Sequence, residues 1–224
     1  MKLLKIILFS LLSLIIVTGL TLIIATSILY ARTGTIKNDI KSMYTDESYK
    51  EALVVENVPI MKQEISCGYA VIEIFAKFNG NNSITEKSLF EANKGISTSS
   101  ASGFEKEMNK LFTNYKTTTY KYLKNTELLD KVYSSLKNGI PVPFEWAAKL
   151  ENTWTLHYSM IYGIDIPNDK IMVSNPYGYK EELSLKDFLN RTTFDAYENM
   201  PFYFKIAFAF GAFEKNTIFI IERI

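Results

Sequence analysis

Hydrophobic and polar positions divide the chain into three stretches with different periodicity. From Ile6 to Tyr30 no residue carries a charge. A run of that length matches the roughly 20 apolar residues needed to cross a bilayer core and is longer than the apolar region of a cleaved signal. A membrane anchor over residues 1–31 is expected, with a cleavable signal as the alternative because Ala25-Thr26-Ser27 are small. Residues 32–50 are polar with scattered Lys and Asp and read as a stalk or marginal helix. A single domain is expected from residue 51 to residue 224.

Within that domain the first half has helical spacing. Ser66 is a candidate N-cap, and Tyr69 to Phe78 is apolar except for Glu73 and Lys77. Those two are four apart and able to pair on one exposed stripe. Asn79-Gly80 ends this helix. Ser83 and Glu86 have capping-box spacing for a second helix that stops at Gly95. "STSSASG" reads as a loop, Phe104, Met108, Leu111 and Phe112 mark a third helix, and Thr126 to Leu136 a fourth that ends at Gly139.

The second half has strand spacing. "YKTTTYKYL" reads as a strand, as do Ile140 to Trp146, Leu156 to Ile164, Lys170 to Ser174 and the closing "TIFIIERI". Phe202, Phe204, Ile206, Phe208 and Phe210 alternate with Tyr203, Lys205, Ala207, Ala209 and Gly211, a period of two that predicts one more strand. Helices gathered early and strands late indicate an α+β fold.

Charge and rare residues narrow the chemistry. The net charge of +1 has no basic block, so nucleic acid is not an expected partner. Lys2 and Lys5 precede the apolar run while Arg32, Lys37 and Lys41 follow it, so flanking charge does not set orientation. The very short leading tail favours a signal anchor with the domain outside the cytoplasm. One cysteine excludes an intramolecular disulfide, and one histidine excludes a multi-histidine metal site. No cofactor is implied.

The only cysteine, Cys67, stands where an apolar helix begins, and the field and free N–H groups of a first turn favour a thiolate. A lone buried cysteine is otherwise a small core hydrophobe. The only available imidazole base is His157 in "TLHYSMIYG". Asn175, at the end of the next strand in "VSNPYG", is placed to orient one ring nitrogen. Pro176 after it fits a strand end with an open edge. Gln63, four residues before Cys67, has a side-chain amide that together with the Cys67 N–H forms a candidate oxyanion hole. Trp146 and Trp154 either line a groove or pack.

These residues, in the order Gln63, Cys67-Gly68, "KNGIPV", "HYSMIYG" and "NPYG", resemble the papain-like family that includes the double-glycine leader peptidases of bacteriocin exporters and their stand-alone relatives. The resemblance runs from about Val58 to the C-terminus. It implies a papain-like fold, with the nucleophile helix packed on an antiparallel sheet, and a peptide or protein substrate. It also implies Cys67 as nucleophile, His157 as base, Asn175 as orienting residue and Gln63 as oxyanion donor. Many members of that family carry Asp where Asn175 stands, and Glu64 beside Gln63 opposes a thiolate if it points inward. Two other readings use the same residues: a non-enzymatic binding or immunity-type protein of the same fold, and a cell-wall amidase or transglutaminase-like acyl transferase.

Register tests the arrangement. A plain two-residue turn at Asn168-Asp169 pairs His157 with Lys180 and puts Asn175 opposite Tyr162, on the other face of the sheet. The pairing therefore requires a bulge or an asymmetric turn.

Overall fold

The computed structural model describes residues 2–97, 100–150, 152–194, 201–209 and 213–224. Helix α1 runs Lys2–Ile36, and within it the 24 residues Lys5–Ile28, of mean hydropathy 2.7, are long and apolar enough to cross a membrane. Residues 37–50, expected as a stalk, lie against the body through two 3-10 turns, Lys41–Thr45 and Glu47–Tyr49. Ile36 and Met43 are buried. The Tyr44 and Tyr49 hydroxyls donate to Asp169 and Asp130 at 2.7 and 2.9 Å.

The body is α+β, as its patterning predicts. Its central helix, α2 (Cys67–Phe78), is buried continuously from Gly68 to Ala76, which is why its sequence is apolar nearly all round. Phe75 meets the edges of Phe112 and Tyr115, with ring centroids 4.9 and 5.4 Å away. Asn79 and Gly80 (φ 75°) end the helix. Lys77 pairs with Glu73 at 2.9 Å, but Glu73 is buried, so the expected exposed stripe is half inside.

Around α2 stand α3 (Glu86–Ala92), α4 (Ala101–Leu111) and α5 (Asn125–Lys137). The N-cap of α3 is Thr85, which exchanges hydrogen bonds with Ser88, rather than Ser83 with Glu86. Glu86 is otherwise engaged. Ser100 caps α4, so the expected loop ends at that residue and Ala101, Ser102 and Gly103 are already helical. Thr98 and Ser99 lie outside the described residues.

The antiparallel sheet contains β1 (Leu53–Val54), β2 (Tyr115–Tyr120), β3 (Val142–Leu150), β4 (Thr153–Asp165), β5 (Lys170–Asn175), β6 (Tyr179–Leu183) and β7 (Ile218–Arg223). Their order is β2-β7-β3-β4-β5-β6, and β1 joins β4 at Gly163 and Ile164, beyond the last β3 partner at Ile161. Strand β5 is internal, so the open edge expected beside Pro176 is covered by β6, with Asn175 opposite Tyr179.

Two helices interrupt the late strands. α6 (Leu185–Thr193) has no counterpart among the elements expected from the sequence, and α7 (Phe202–Ala209) replaces the predicted Phe-rich strand. The alternation is ambiguous because Phe204 and Phe208 are also one helical turn apart. In the fold both meet Phe213, and Phe208 also meets Phe194, rather than any strand edge. Phe210 and Gly211 lie outside the described residues.

Candidate active site

A bulge in β4 decides the register. Asp165 opposite Lys170, Ile164 opposite Ile171 and Gly163 opposite Met172 set one register, and Ile161 opposite Val173 and Met160 opposite Ser174 set another, leaving Tyr162 as the extra residue. The one-residue shift puts Asn175 across from Ser159, on the same face as His157. Gly163 makes room for it: a Cβ there would lie 2.7 Å from the Met172 sulfur and 3.2 Å from the Leu53 carbonyl oxygen of β1.

His157 Nε2 and Asn175 Oδ1 are 3.0 Å apart, and both residues are buried. The Asn175 amide has its orientation defined at both ends. Oδ1 also accepts from the Tyr177 backbone N–H at 3.0 Å, while Nδ2 donates to Glu181 Oε2 at 3.1 Å and to the Tyr179 hydroxyl at 3.3 Å. With Oδ1 as acceptor, the ring proton belongs on Nε2 and the lone pair on Nδ1. The Tyr177 ring stacks on the imidazole at 4.1 Å.

On the opposing side, Cys67 is the first residue of α2 and is half-buried. The backbone N–H groups of Tyr158, the residue after His157, of Gly68 and of Cys67 itself act to lower its thiol pKa. The preceding loop is held at two points. The Gln63 N–H donates to the Pro176 carbonyl at 2.7 Å, and Lys62 bridges to Tyr177, so the loop lies along the end of β5. Gly178, with φ 98°, passes so close to Lys62 that a Cβ there would lie 3.2 Å from the Lys62 Cβ. Gln63 Oε1 is buried without a hydrogen-bond partner.

The second anchor is Glu86. Its buried carboxylate accepts from the backbone N–H groups of Glu64 (2.9 Å), Ile65 (2.7 Å) and Ser66, and its own N–H donates to Glu73 at 2.6 Å. The spacing of Glu86 after Ser83 suggests a cap, and no sequence signal links it to a loop some twenty residues earlier.

Burial dominates the electrostatics. It pushes the Cys67 thiol up to about 11, with the neighbouring Glu145 charge adding to the effect, and it pulls His157 down to about 4, opposed by the Asn175 hydrogen bond. At neutral pH the free site therefore holds a thiol and a neutral imidazole. Glu64 is exposed, and the carboxylate that opposes the thiolate is Glu145, buried beside Tyr158 and itself raised to about 7 by burial. Trp146 is fully buried and donates to Ser159 at 3.0 Å, while Trp154 is partly buried, with the Arg191 guanidinium over both rings. Among the described residues no group of three or more acidic, His or Cys side chains is placed to hold a metal ion.

Residues 55–203, about two thirds of the chain, match the model of the Peptidase_C39 like family. The chain belongs to that family. Its fold is also similar to the crystal structure of a double glycine motif protease from an AMS/PCAT transporter in complex with the leader peptide, at 13% sequence identity and a TM-score of 0.48, covering 78% of this chain and 99% of the other. A comparison with curated proteins finds no match. Membership in the C39-like family bears out the family resemblance read from residues 63–178.

Proposed function

We propose that the protein is a membrane-anchored cysteine peptidase that cleaves peptide or isopeptide bonds through an acyl-enzyme, with residues 51–224 as the working domain outside the cytoplasm. The observation that carries this reading is the 3.0 Å pair of His157 and Asn175, oriented at the strand end against which the Gln63 to Cys67 loop is bonded.

In this mechanism Nδ1 of His157 removes the thiol proton as the Cys67 sulfur attacks the substrate carbonyl carbon, so that charge forms only with bond formation. The resulting oxyanion is met by the Cys67 N–H and the Gln63 amide. The imidazolium returns its proton to the leaving amine, and a water activated by the same nitrogen hydrolyses the thioester. Asn175 orients the ring without contributing a charge.

The test is hydrolysis of a peptide library by the full chain in vesicles, read by mass spectrometry. Wild type is expected to cleave, and Cys67→Ala and His157→Ala to lose cleavage by about a thousandfold or more. No cleavage, together with iodoacetamide reactivity unchanged by His157→Ala, would instead favour a non-enzymatic binding protein of the same fold. Muropeptide turnover would redirect the assignment to a cell-wall amidase. Orientation of the anchor is read with a membrane-impermeant maleimide on Lys87→Cys in a Cys67→Ala background, which is expected to label from outside intact cells.

A further inference from the structure

Asn175 orients His157 but carries no charge, and a buried imidazole drawn down to about 4 needs a counter-charge to accept a proton. The next group outward is a carboxylate. Glu181 Oε2 lies 3.1 Å from Asn175 Nδ2, and its other oxygen receives Arg191 Nη1 at 2.8 Å. Arg191 in turn meets Asp187 at 2.8 Å through Nη2. The three charged groups sum to one negative charge. Arg191 is largely enclosed and packs over Trp146 and Trp154, so the position of Glu181 is set by packing as well as by charge.

The backbone explains why Glu181 can reach. Asn175 opposite Tyr179 closes β5 onto β6 through Gly178, and Glu181 is two residues further along β6 on the same face as Tyr179. A side chain two residues along therefore points the same way.

We infer that Glu181 is a positioning residue for the site, providing through the Asn175 amide the negative charge that a carboxylate at position 175 would provide directly. The amide relays it: Nδ2 faces the carboxylate and Oδ1 faces the imidazole, so the Asn175 dipole is aligned to stabilise a proton on His157. This rests on the proposed roles of Cys67 and His157. It has a corollary specific to this chain. In Asn175→Asp an oxygen takes the place of Nδ2, 3.1 Å from Glu181 Oε2, so the introduced carboxyl must bind a proton or turn away from His157.

The experiment compares wild type, Glu181→Gln, Asn175→Asp and the double variant Asn175→Asp/Glu181→Gln in the full chain. Two readouts need no substrate: the alkylation rate of the sole cysteine by iodoacetamide, and the nitrogen NMR signals of the sole histidine. Glu181→Gln is isosteric and keeps an acceptor for Nδ2. It is expected to preserve the Nε2-protonated tautomer while slowing alkylation about tenfold, the equivalent of one pKa unit. Asn175→Asp alone is expected to be at least as slow. The double variant is expected to regain at least the wild-type rate, because the introduced carboxylate then faces a neutral amide.

The inference is overturned if Glu181→Gln alkylates like wild type, or if the double variant shows only the product of the two single effects. A purely structural role for Glu181 predicts that second result, since it offers no route to rescue. Peptide hydrolysis measured on the same four proteins separates the two ideas. Rescue of alkylation with no hydrolysis in any of them retains the relay and rejects the peptidase reading. Hydrolysis that does not depend on residue 181 retains the peptidase reading and rejects the relay.

Discussion

The two halves of the proposed site are held by opposite means. The half carrying Cys67 is a helix tip whose lead-in loop is fixed through its backbone: three consecutive N–H groups on Glu86 and a fourth on the Pro176 carbonyl. The half carrying His157 is a pair of strands whose side chains are fixed by other side chains, from Arg191 through Glu181 and Asn175 to the ring. Backbone anchoring tolerates changes in side-chain identity in the loop but depends on one carboxylate. Side-chain anchoring distributes the load over several residues but depends on strand register. The two halves should therefore fail differently.

The largest effect is expected at the single carboxylate. Glu86→Ala leaves three buried or half-buried N–H groups without an acceptor, at about 1–3 kcal/mol for each one that water does not reach. A stability loss of about 3–5 kcal/mol in urea unfolding is expected, with Glu86→Gln losing less because one acceptor oxygen remains. A loss below about 1 kcal/mol for Glu86→Ala would mean that the loop is held by its Pro176 contact instead.

On the strand side, Gly163→Val forces side-chain atoms into the space between Met172 and Leu53. Overpacking of this kind costs about 1–3 kcal/mol. The more specific sign is loss of the Nε2-protonated signal of His157 as the bulge and register give way. A stable Gly163→Val variant with an unchanged imidazole spectrum would show that the bulge does not depend on the glycine.

Glu145 and His157 separate the two sides by pH. Burial raises Glu145 from 4.5 to about 7, so its contribution to stability is full below pH 4.5 and is lost as pH rises through 7. Burial lowers His157 from 6.5 to about 4, so its contribution is present above pH 6.5 and lost as pH falls through 4. Glu145→Gln is expected to remove the decline between about pH 5 and pH 8 while leaving the acid-side loss in place. Urea midpoints at about pH 4, 5 and 8 check this, and an unchanged decline would locate its source elsewhere.

The smallest effect is expected from Tyr177→Ala, which removes the ring stacked on His157 but leaves the backbone N–H of residue 177 on Asn175. Such a stack contributes about 0.5–1.5 kcal/mol. The histidine tautomer should survive the substitution, unlike in Gly163→Val. Loss of the tautomer would show that the ring, rather than the amide, orients the imidazole.

Local pattern determined a good part of this protein. The apolar run of α1, the enclosed α2 with Cys67 at its tip, α5 with its Gly139 stop and the strands around His157 and Asn175 all follow from short-range periodicity and turn chemistry, which depend on neighbouring residues. So did the candidate set Gln63, Cys67, His157 and Asn175, because each residue type is rare or set by a motif.

Tertiary structure alone decided the rest. α7 is helical because Phe204 and Phe208 had a hydrophobic cluster to enter, which a two-residue alternation does not reveal. The Tyr162 bulge, which brings Asn175 onto the His157 face, lies beside Gly163, where Leu53 of β1, more than a hundred residues earlier, and Met172 of β5 leave little room for a Cβ. Glu86, Glu145 and Glu181 look like ordinary surface carboxylates in sequence. Glu86 finds its partners 20 to 22 residues earlier and Glu181 meets Arg191 10 residues later. Their roles come from burial and long-range contact, properties of the folded body rather than of any segment.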